Sequence, residues 1–425
     1  MTERLLQYIW QFQYYDHHSL ETTAGEILQV VYQGMLNSNQ GPDFLNGKIR
    51  IGETIWAGSI ELHILSSEWH DHKHSADKNY DNVILHVVWK QDDEQTLKFP
   101  VFELYHRVPG ILLKRYQQLM MNRSFIPCQD DISSTPALIL ASWKDRLLAE
   151  RLEQKSKLIE DYLQQNKGNW EETFWWMLAR NFGTPVNCEA FEELAKSVPV
   201  NVLVKNKSSL IAIEAILFGQ AKLLNRNFAD AYPVMLKKEY AFLQKKYSLK
   251  QIFTPVHSLR MRPANFPCVR LAQLAALISG SHQLFSLIKE TDDVTQIIKC
   301  LSATANDYWH YHYQFDEMTA FKMKVMGAQM ISNIIINTVI PVLFTYAGYT
   351  QNANQKARAL RWMQEMPPEK NKISLGFRKL GLHSDNAGDS QALLRLKTFY
   401  CNERRCLQCA IGNNLLHPST KIASE

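Results

Sequence analysis

The chain has 425 residues, of which 46% are hydrophobic and 21% are charged, and its formal net charge is +5. These values exclude an intrinsically disordered chain, and the length predicts two or three domains. The charge is small for this length, so it permits nucleic-acid binding without indicating it. The first residues show no basic segment followed by an apolar one, so we expect no signal peptide and a cytoplasmic location.

Two helices are predicted at the start of the chain. The first covers residues 2–20, which are rich in aromatic side chains. The second runs from about Thr23 to Met35, because apolar residues recur there at helical spacing, beginning with Ile27. Glu26 lies in the first turn of this second helix, where the helix dipole favours a carboxylate.

Strands are predicted next. Residues 47–64 alternate between apolar and polar side chains, which predicts a β-hairpin that turns near Gly52-Glu53. Residues 82–90 and 97–105 are rich in β-branched and apolar side chains and predict two further strands. The pattern therefore indicates an α+β or α/β domain that ends near residue 125.

The rest of the chain has the periodicity of helices, and we expect a helical domain over residues 126–390 and a cysteine-containing segment over 391–425. Helices are predicted over residues 142–165, 170–182, 187–197, 209–224, 231–246, 267–289, 292–303 and 318–340. Residues 351–390 predict a loop of mixed charge. The apolar residues 329–347 have roughly the length of a membrane span, but they include two asparagines and Pro341. They predict a buried core helix that is broken near Pro341, and no membrane association.

Two carboxylates flank the predicted hairpin. Asp43 follows Pro42, and Glu61 lies in the second strand, two residues before His63. Carboxylate oxygens suit Mg²⁺ or Mn²⁺, and such an ion activates water for hydrolysis. Strict alternation places Asp43 and Glu61 on opposite faces, so they converge only if a bulge near Asn46-Gly47 shifts the register. The other interpretation is that Asp43 is a turn residue and Glu61 a solvated strand residue.

The sequence Pro42-Asp43, followed by Glu61-Leu62-His63, resembles the motif of PD-(D/E)XK nucleases. This resemblance implies a restriction-endonuclease-like mixed sheet core, followed here by the large helical domain. It implies Asp43 and Glu61 as metal ligands, His63 as the third member of the motif and Glu26 as an additional helix carboxylate. The family usually has Lys at the position of His63, and His is neutral or only partly protonated near pH 7. A metal-dependent nuclease acting on DNA or RNA is therefore expected, and a catalytically inactive nucleic-acid-binding or assembly protein remains the alternative.

A group of histidines follows the hairpin. The residues concerned are His72, His74, Asp77, Tyr80 and His86. Imidazoles and carboxylates are the usual ligands of Zn²⁺ and other transition metals. We interpret the group as a second shell or a set of substrate contacts around Asp43 and Glu61. Two alternatives remain, namely a metallohydrolase for a non-nucleic substrate with Zn²⁺ at His72, His74 and Asp77, and a polar loop stabilised by its own hydrogen bonds.

A longer pattern extends over nearly the whole chain. It comprises GPDF, IELH, W-x2-H-x-H-x2-D-x2-Y-x2-VILHVV, RMRPANFP and the terminal cysteines. This pattern resembles an uncharacterised family of bacterial proteins, a domain of unknown function.

Three cysteines lie close together near the end of the chain, in the spacing C-x4-C-x2-C. They are Cys401, Cys406 and Cys409. His417 would complete a tetrahedral Cys3His zinc site, whereas an iron–sulfur cluster would need a fourth cysteine. Candidates for that fourth cysteine are Cys128, Cys188, Cys268 and Cys300. Three unligated thiols are the other interpretation.

Three arginines accompany the loop RMRPANFP, namely Arg260, Arg262 and Arg270. Guanidinium groups suit phosphates, so these residues are candidate nucleic-acid contacts. Pairing with carboxylates at a domain junction is the alternative. The sequence indicates no particular oligomeric state.

Overall fold

Two structural units make up the chain in the computed structural model, which describes residues 1–37, 39–93, 97–258, 262–280 and 284–416. The first unit contains Met1–Trp143 and Lys397–Glu425, and the second contains Lys144–Leu396. The sequence-based division at residues 125 and 390 stays a prediction. The predicted fold class, a mixed sheet followed by a large helical region, is confirmed.

A six-stranded mixed sheet is the main feature of the first unit. Its strands are β1 (Leu28–Tyr32), β2 (Met35–Leu36), β3 (Phe44–Ile51), β4 (Thr54–Leu65), β5 (Val83–Lys90) and β6 (Val101–Glu103). The order is β1-β3-β4-β5-β6. Strand β2 pairs with the first residues of β3, and β1 pairs with the last ones. The pairs among β1 to β4 are antiparallel, whereas β4–β5 and β5–β6 are parallel. Strand β5 lies between its parallel neighbours β4 and β6 and is buried from Val83 to Val88, which explains its nearly continuous apolar sequence.

Three helices of the first unit accompany the sheet: one precedes β1, one lies between β4 and β5, and one follows β6. They are α1 (Glu3–Gln11), the single-turn α2 (Glu68–Asp71) and α3 (Gly110–Met121). The side chain of Thr2 caps α1 by accepting a hydrogen bond from the backbone N–H of Leu5, at 3.3 Å. Short 3₁₀ turns cover His74–Ala76, Lys78–Tyr80 and Ile132–Ser134.

A β-bulge lies in β3 at the predicted place. Phe44 pairs with Ile60 and Gly47 pairs with Gly58, so the register shifts by one residue between the two pairs. Asn46, inside the bulge, has φ of +60°, a left-handed conformation that asparagine tolerates better than most residues. The shift places Asp43 opposite Glu61 on β4, which strict alternation would not do.

The predicted helix from Thr23 to Met35 is wrong, because this segment forms β1, β2 and their flanking turns. Its apolar residues fit helical spacing and strand spacing about equally, and pairing with β3 decides in favour of the strand. Gly34 stands between β1 and β2 with φ of +88°, which ends either structure. Glu26 is therefore an exposed loop residue and not a helix carboxylate.

The second unit consists of helices around one apolar core. Its helices, including α4, which begins in the first unit, are α4 (Ala137–Gln165), α5 (Trp170–Phe182), α6 (Thr184–Ser197), α7 (Val200–Asn206), α8 (Leu210–Gln220), α9 (Ala231–Tyr247), α10 (Pro267–Gly280), α11 (Leu284–Glu290), α12 (Val294–Leu301), α13 (Asp307–His310), α14 (Ala328–Ile334), α15 (Ile340–Tyr349), α16 (Ala353–Glu365), α17 (Lys372–Lys379) and α18 (Ala387–Arg395). The last helix of the described residues, α19 (Ala410–Leu416), belongs to the first unit.

The loop predicted over residues 351–390 is wrong, since it contains α16, α17 and the start of α18. An asparagine caps each helix: Asn352, Asn371 and Asn386 accept hydrogen bonds from backbone N–H groups in the first turn. Trp362 and Phe377 supply fully buried apolar contacts. The mixed charges therefore lie on the exposed sides of amphipathic helices.

The apolar stretch near residue 340 is helical throughout. A wider π-type turn at Ile335–Val339 joins α14 to α15. The hydrogen-bond pattern therefore changes before Pro341, and the predicted break of the helix at Pro341 does not occur. Pro341 has no N–H to donate to the carbonyl of Asn337, which accounts for the altered turn. Residues Ala328–Tyr349 are long and apolar enough to cross a membrane, but 72% of their most apolar window is buried inside the protein. Helices α10 and α11 pass the same test of length and composition only together, as a bent pair.

Candidate metal site

Asp43 and Glu61 meet at the bulge between β3 and β4. The backbone N–H of Asp43 donates a hydrogen bond to Oε2 of Glu61, at 3.0 Å. The backbone N–H of Leu62 donates to Oδ2 of Asp43, also at 3.0 Å. Each carboxylate is thus held by the backbone of the other strand, and the bulge brings the two side chains together.

Helix α1 contributes two residues that the sequence did not single out. The side-chain amide of Gln7 donates a hydrogen bond to Oδ1 of Asp43, at 2.8 Å. Glu3 lies one turn earlier on α1, and its charge acts on both Asp43 and Glu61. The carboxylate that a helix brings near this site is therefore Glu3, and the expectation placed on Glu26 is wrong because Glu26 is not in a helix. The i, i+4 spacing of Glu3 and Gln7 is the signal that marks this face of α1.

Burial makes two adjacent carboxylates costly in their charged form. The pKa of Asp43 is raised, first by burial and then by the charge of Glu3. The pKa of Glu61, which is 4% exposed, is raised first by burial and then by the charge of Asp43. A cation bound between them would remove this repulsion, so the pair suits a divalent metal ion.

Three imidazoles stand beside Glu61. One nitrogen from each of His63, His72 and His74 lies within 4.8 Å of the other two. Nε2 of His63 is 3.2 Å from Nδ1 of His72. Oε1 of Glu61 lies 3.6 Å from Nε2 of His63 and 3.5 Å from Nε2 of His74. The three histidine nitrogens form a donor set suited to Zn²⁺ and similar ions, and the Glu61 carboxylate lies next to two of the three rings.

One of these donors lacks a hydrogen-bond partner among the described residues. Nε2 of His74 is buried, and its approach to Glu61 does not have hydrogen-bond geometry. Buried polar atoms without a partner are uncommon in folded proteins. A metal ion coordinated by His74 and Glu61 would satisfy this nitrogen, so the site passes a test of fit for a metal.

His63 is a neutral residue in this environment. Burial, followed by the charges of the neighbouring histidines, lowers the pKa of His63 to about 2. Its Nδ1 is 2.8 Å from Nε2 of His86, which lies fully buried on β5. If Nδ1 carries the proton and donates to His86, Nε2 of His63 keeps a free lone pair toward the cluster. His63 can therefore offer a lone pair to a cation, but not the fixed positive charge that Lys would supply.

Aromatic rings surround the histidines. Tyr80 stacks on His74 with ring centroids 3.9 Å apart, and Trp69 contacts the edges of His63 and His74. The indole N–H of Trp69 donates to Oγ of Ser75, at 2.9 Å. Burial, followed by the nearby carboxylates, raises the pKa of Tyr80 to about 12. These contacts fix the loop after β4 in the conformation that gathers the imidazoles.

Asp77 has a different place from the one expected for a Zn²⁺ ligand. Its Oδ1 accepts hydrogen bonds from the backbone and side-chain N–H groups of Asn79, both at 2.9 Å. It thus caps the short turn Lys78–Tyr80. Asp77 acts on His74 only through its charge, which raises the pKa of that histidine against the larger lowering effect of burial.

A second cluster of donor atoms lies elsewhere in the first unit. The C-terminal Cys401, Cys406 and Cys409 are joined by Cys128, and each thiol influences the ionisation of others in the group. The pKa of Cys128 and of Cys406 is raised to about 12 by burial, and the pKa of Cys401 is raised for the same reason. All four are free thiols, more widely spaced than the histidine nitrogens. His417 lies outside the described residues.

The terminal segment is anchored so that its cysteines face Cys128. The guanidinium of Arg404 donates to the carbonyl oxygens of Leu119, at 3.0 Å, and of Asn122, at 2.9 Å. A Cβ atom at position 412 would lie 2.2 Å from the carbonyl oxygen of Cys406, so α19 requires Gly412 to pass this close. The sequence offered four candidates for a cysteine that would join the terminal three. The fold places Cys128 near them, because its charge acts on Cys401 and theirs act on Cys128.

The predicted arginines lie in the second unit. Arg270 is buried and bonds to the side-chain oxygens of Gln273 and Asn265. Arg262 is exposed, and Arg260 lies outside the described residues. The alternative prediction, pairing of Arg270 with a core carboxylate, finds no such partner among the described residues.

The fold and the site together define an α+β protein with a histidine- and carboxylate-lined candidate metal site on a bulged hairpin. The family model described as "Protein of unknown function (DUF2851)" matches residues 3–372, and the chain belongs to this family. Membership of an uncharacterised family, predicted from the sequence, is thereby confirmed. No curated protein and no solved structure matches the chain. The resemblance to PD-(D/E)XK nucleases stays a prediction.

Proposed function

We propose that this protein is a metal-dependent hydrolase that cleaves phosphodiester bonds in nucleic acid. The observation that supports this proposal most is the convergence of Asp43 and Glu61 across a bulge, beside three clustered imidazoles of which two lie next to Glu61. A divalent ion bound there supplies an activated water and neutralises charge on a phosphate. The order of elements around the pair, together with the motif Pro42-Asp43 and Glu61-Leu62-His63, is what favours a phosphodiester as the substrate.

The donors favour a transition metal at the histidines. Oxygen ligands such as those of Asp43 and Glu61 suit Mg²⁺ or Mn²⁺, whereas neutral imidazoles suit Zn²⁺, Mn²⁺ or Fe²⁺. Glu61 connects the carboxylate pair to the histidines. Its Oε2 accepts a hydrogen bond from the backbone N–H of Asp43, and its Oε1 lies near His63 and His74. We therefore propose that Mn²⁺ or Zn²⁺ binds at Glu61 with His63, His72 and His74, and that a weaker Mg²⁺ or Mn²⁺ site includes Asp43.

The remaining residues of the site would act through these ligands. The side chain of Gln7 donates a hydrogen bond to one oxygen of Asp43, so α1 orients that carboxylate. His86 fixes the ring of His63. Tyr80 keeps its proton at neutral pH, so its hydroxyl is available as a hydrogen-bond donor to a phosphate oxygen.

A structural cofactor is proposed separately for the cysteines. Cys128, Cys401, Cys406 and Cys409 would bind Zn²⁺ or an iron–sulfur cluster, because buried thiols that raise one another's pKa ionise favourably only next to a cation. Metal analysis of the purified protein tests this cofactor. The absence of Zn and Fe at a near-stoichiometric level would remove it.

The hydrolase is tested by cleavage assays on single- and double-stranded DNA and RNA with Mg²⁺, Mn²⁺ or Zn²⁺. Wild-type protein is compared with Asp43→Asn and Glu61→Gln, and Glu53→Gln is the matched control because Glu53 lies exposed in the turn of the same hairpin. We expect both site variants to lose more than about 100-fold in rate, beyond the 10–100-fold typical of residues behind metal ligands. The control should retain the wild-type rate.

Metal titration calorimetry on the same proteins separates the outcomes. Cleavage that is unchanged in both site variants would contradict the proposed active site. Metal binding that depends on Glu61, without cleavage of any nucleic acid, would leave a non-catalytic nucleic-acid-binding or assembly protein as the better description. The neutral state of His63 is the observation that favours that outcome.

The three-histidine group favours a second candidate, a metallohydrolase for a non-nucleic substrate. Zinc hydrolases use three protein ligands and leave a position for water, which His63, His72 and His74 would permit. The two candidates differ in their metal. Tight Zn²⁺ that is lost in His72→Ala, with no response to nucleic acid, would support the second.

A further inference from the structure

We propose that a large basic cavity in the helical unit binds a phosphorylated ligand of nucleotide chemistry, either a free nucleotide or a short single strand. The cavity has a volume of about 1310 Å³ and is lined by residues from α4, α5, α6, α10, α14 and the segments around residues 262–265 and 322–327. Seven lysine or arginine side chains line it, and no aspartate or glutamate is among its described lining residues. This inference does not depend on the proposed hydrolase.

Three of the cations are buried. Lys155, Arg270 and Lys324 are only 9%, 8% and 4% exposed. Buried positive charges are costly unless an anion or a full set of acceptors compensates them. Burial lowers the pKa of Lys155 to about 7 and that of Arg270 to about 10, which shows how little compensation these groups receive.

Arg270 is the clearest case of an incompletely satisfied cation. Its terminal nitrogens donate to Oε1 of Gln273, at 3.0 Å, and to Oδ1 of Asn265. Its Nε is buried and has no hydrogen-bond partner among the described residues. A guanidinium that lines a cavity, is held by two neutral amides and has no carboxylate beside it lacks the counter-charge that a phosphate would supply.

Lys324, in the segment that precedes α14, has a similar environment. Its ammonium donates to the carbonyl oxygens of His310, at 3.4 Å, and Lys322, at 3.1 Å. It also lies 3.9 Å from the ring centroid of Tyr313, which lines the same cavity. No carboxylate among the described residues forms an ion pair with Lys324.

The remaining cations differ in their partners. Arg180 pairs with Glu192, and the charge of Glu369 acts on Arg151 and Lys155. Arg262 and Lys322 are exposed, and no described carboxylate lies within ion-pair distance of either. An excess of about four positive charges therefore remains in one cavity, which is a strong local field for an anion.

The volume and the neutral lining indicate the size of the ligand. Small-molecule sites usually measure about 300–1,000 Å³, so a single inorganic phosphate would leave most of this cavity empty. Asn181, Asn333 and Gln329 add amide donors and acceptors, and Tyr313 adds an aromatic face. Amides suit sugar hydroxyls and base edges, and an aromatic face suits base stacking.

The test is equilibrium binding to full-length protein without added divalent metal, so that hydrolysis in the other unit does not interfere. The probes are inorganic tripolyphosphate, a nucleoside triphosphate, and fluorescent single-stranded DNA and RNA of about eight nucleotides. Arg262→Gln and Lys322→Gln are the main variants, because both residues are exposed and their loss should not impair folding. We expect each to weaken binding by about tenfold, the effect of one charge-assisted hydrogen bond.

Lys238→Gln is the matched control, since Lys238 is exposed on α9 and does not line the cavity. A preference for the triphosphate supports a free nucleotide, and tighter binding of the oligonucleotides supports a strand. Arg270→Lys adds a second check, because it keeps the charge and should reduce affinity only by loss of the fork-shaped contact. No binding of any probe at millimolar concentration, or an equal loss in the Lys238 control, would overturn the proposal.

Discussion

Gly47, at the end of the bulge that brings Asp43 to Glu61, allows β3 to approach β4 closely. A Cβ atom at position 47 would lie 2.5 Å from Cδ1 and 2.9 Å from Cγ1 of Ile60, which is fully buried. Overpacking of this kind costs about 1–3 kcal/mol. Gly47 has no left-handed φ, so alanine regains about 0.4–1 kcal/mol through the unfolded state. We expect Gly47→Ala to lower the free energy of unfolding by about 1–2 kcal/mol.

Ile60→Val removes the closest atom and provides the complementary half of a double-mutant cycle. Alone it should cost about 0.5–1.5 kcal/mol through the lost methyl group. Combined with Gly47→Ala it should cost less than the sum, with a coupling of about 1 kcal/mol or more, because Cδ1 no longer clashes with the added Cβ. Urea denaturation of the four proteins measures the free energies, and calorimetry measures metal affinity in parallel.

The metal measurement connects this cycle to the site. Gly47→Ala should weaken metal binding because β3 must move away from β4, and Ile60→Val should restore part of the loss. Additive free energies, or a Gly47→Ala variant with unchanged stability, would show that the bulge has room for a side chain. Close packing at Gly47 would then not be what holds Asp43 against Glu61.

Three further outcomes are expected. Glu214 is fully buried in α8, and burial raises its pKa from 4.5 to about 7, so the folded state favours the protonated form. The free energy of unfolding should therefore fall as the pH rises from about 4.5 to about 7, by on the order of 3 kcal/mol. Urea unfolding at pH 5 and pH 8 should show a larger decline in the wild type than in Glu214→Gln, where the raised pKa values of Asp43 and Glu61 still contribute, and an equal decline in both would contradict it. His86→Leu should weaken metal binding at His63 by about 10–100-fold, whereas His86→Gln should retain more of it, as measured by calorimetry. Cys128→Ser should remove most of the Zn or Fe found by metal analysis, and the exposed Cys300 gives the control variant Cys300→Ser, in which metal content should not change.

Local patterns predicted the hairpin and its irregularity well. Alternation along residues 47–64 required a shift of register if Asp43 was to face Glu61, and the shift occurs between Phe44 and Gly47. This was possible because side-chain direction in a strand depends only on the count of residues. The helix over residues 170–182 was predictable for a similar reason, since it agrees with α5 at both ends.

Prediction from local patterns failed where the same apolar spacing fits both a helix and a strand. Residues 23–35 satisfy a helix and a strand alike, and hydrogen bonds to β3 decide between them. Residues 351–390 looked like a loop because charged residues of both signs are frequent there. Contacts of Trp362 and Phe377 with the rest of the helical unit stabilise helices that their own sequence only weakly favours.

The sequence by itself determined which chemical groups this protein has and which local elements carry most of them, because periodicity and ligand type are properties of neighbouring residues. Only the tertiary structure decided which distant groups meet. It brings Gln7 and Glu3 of α1 to Asp43, Cys128 to the terminal cysteines, and cations from several helices to one cavity. Such meetings depend on the packing of whole elements against one another, which no single segment of the chain encodes.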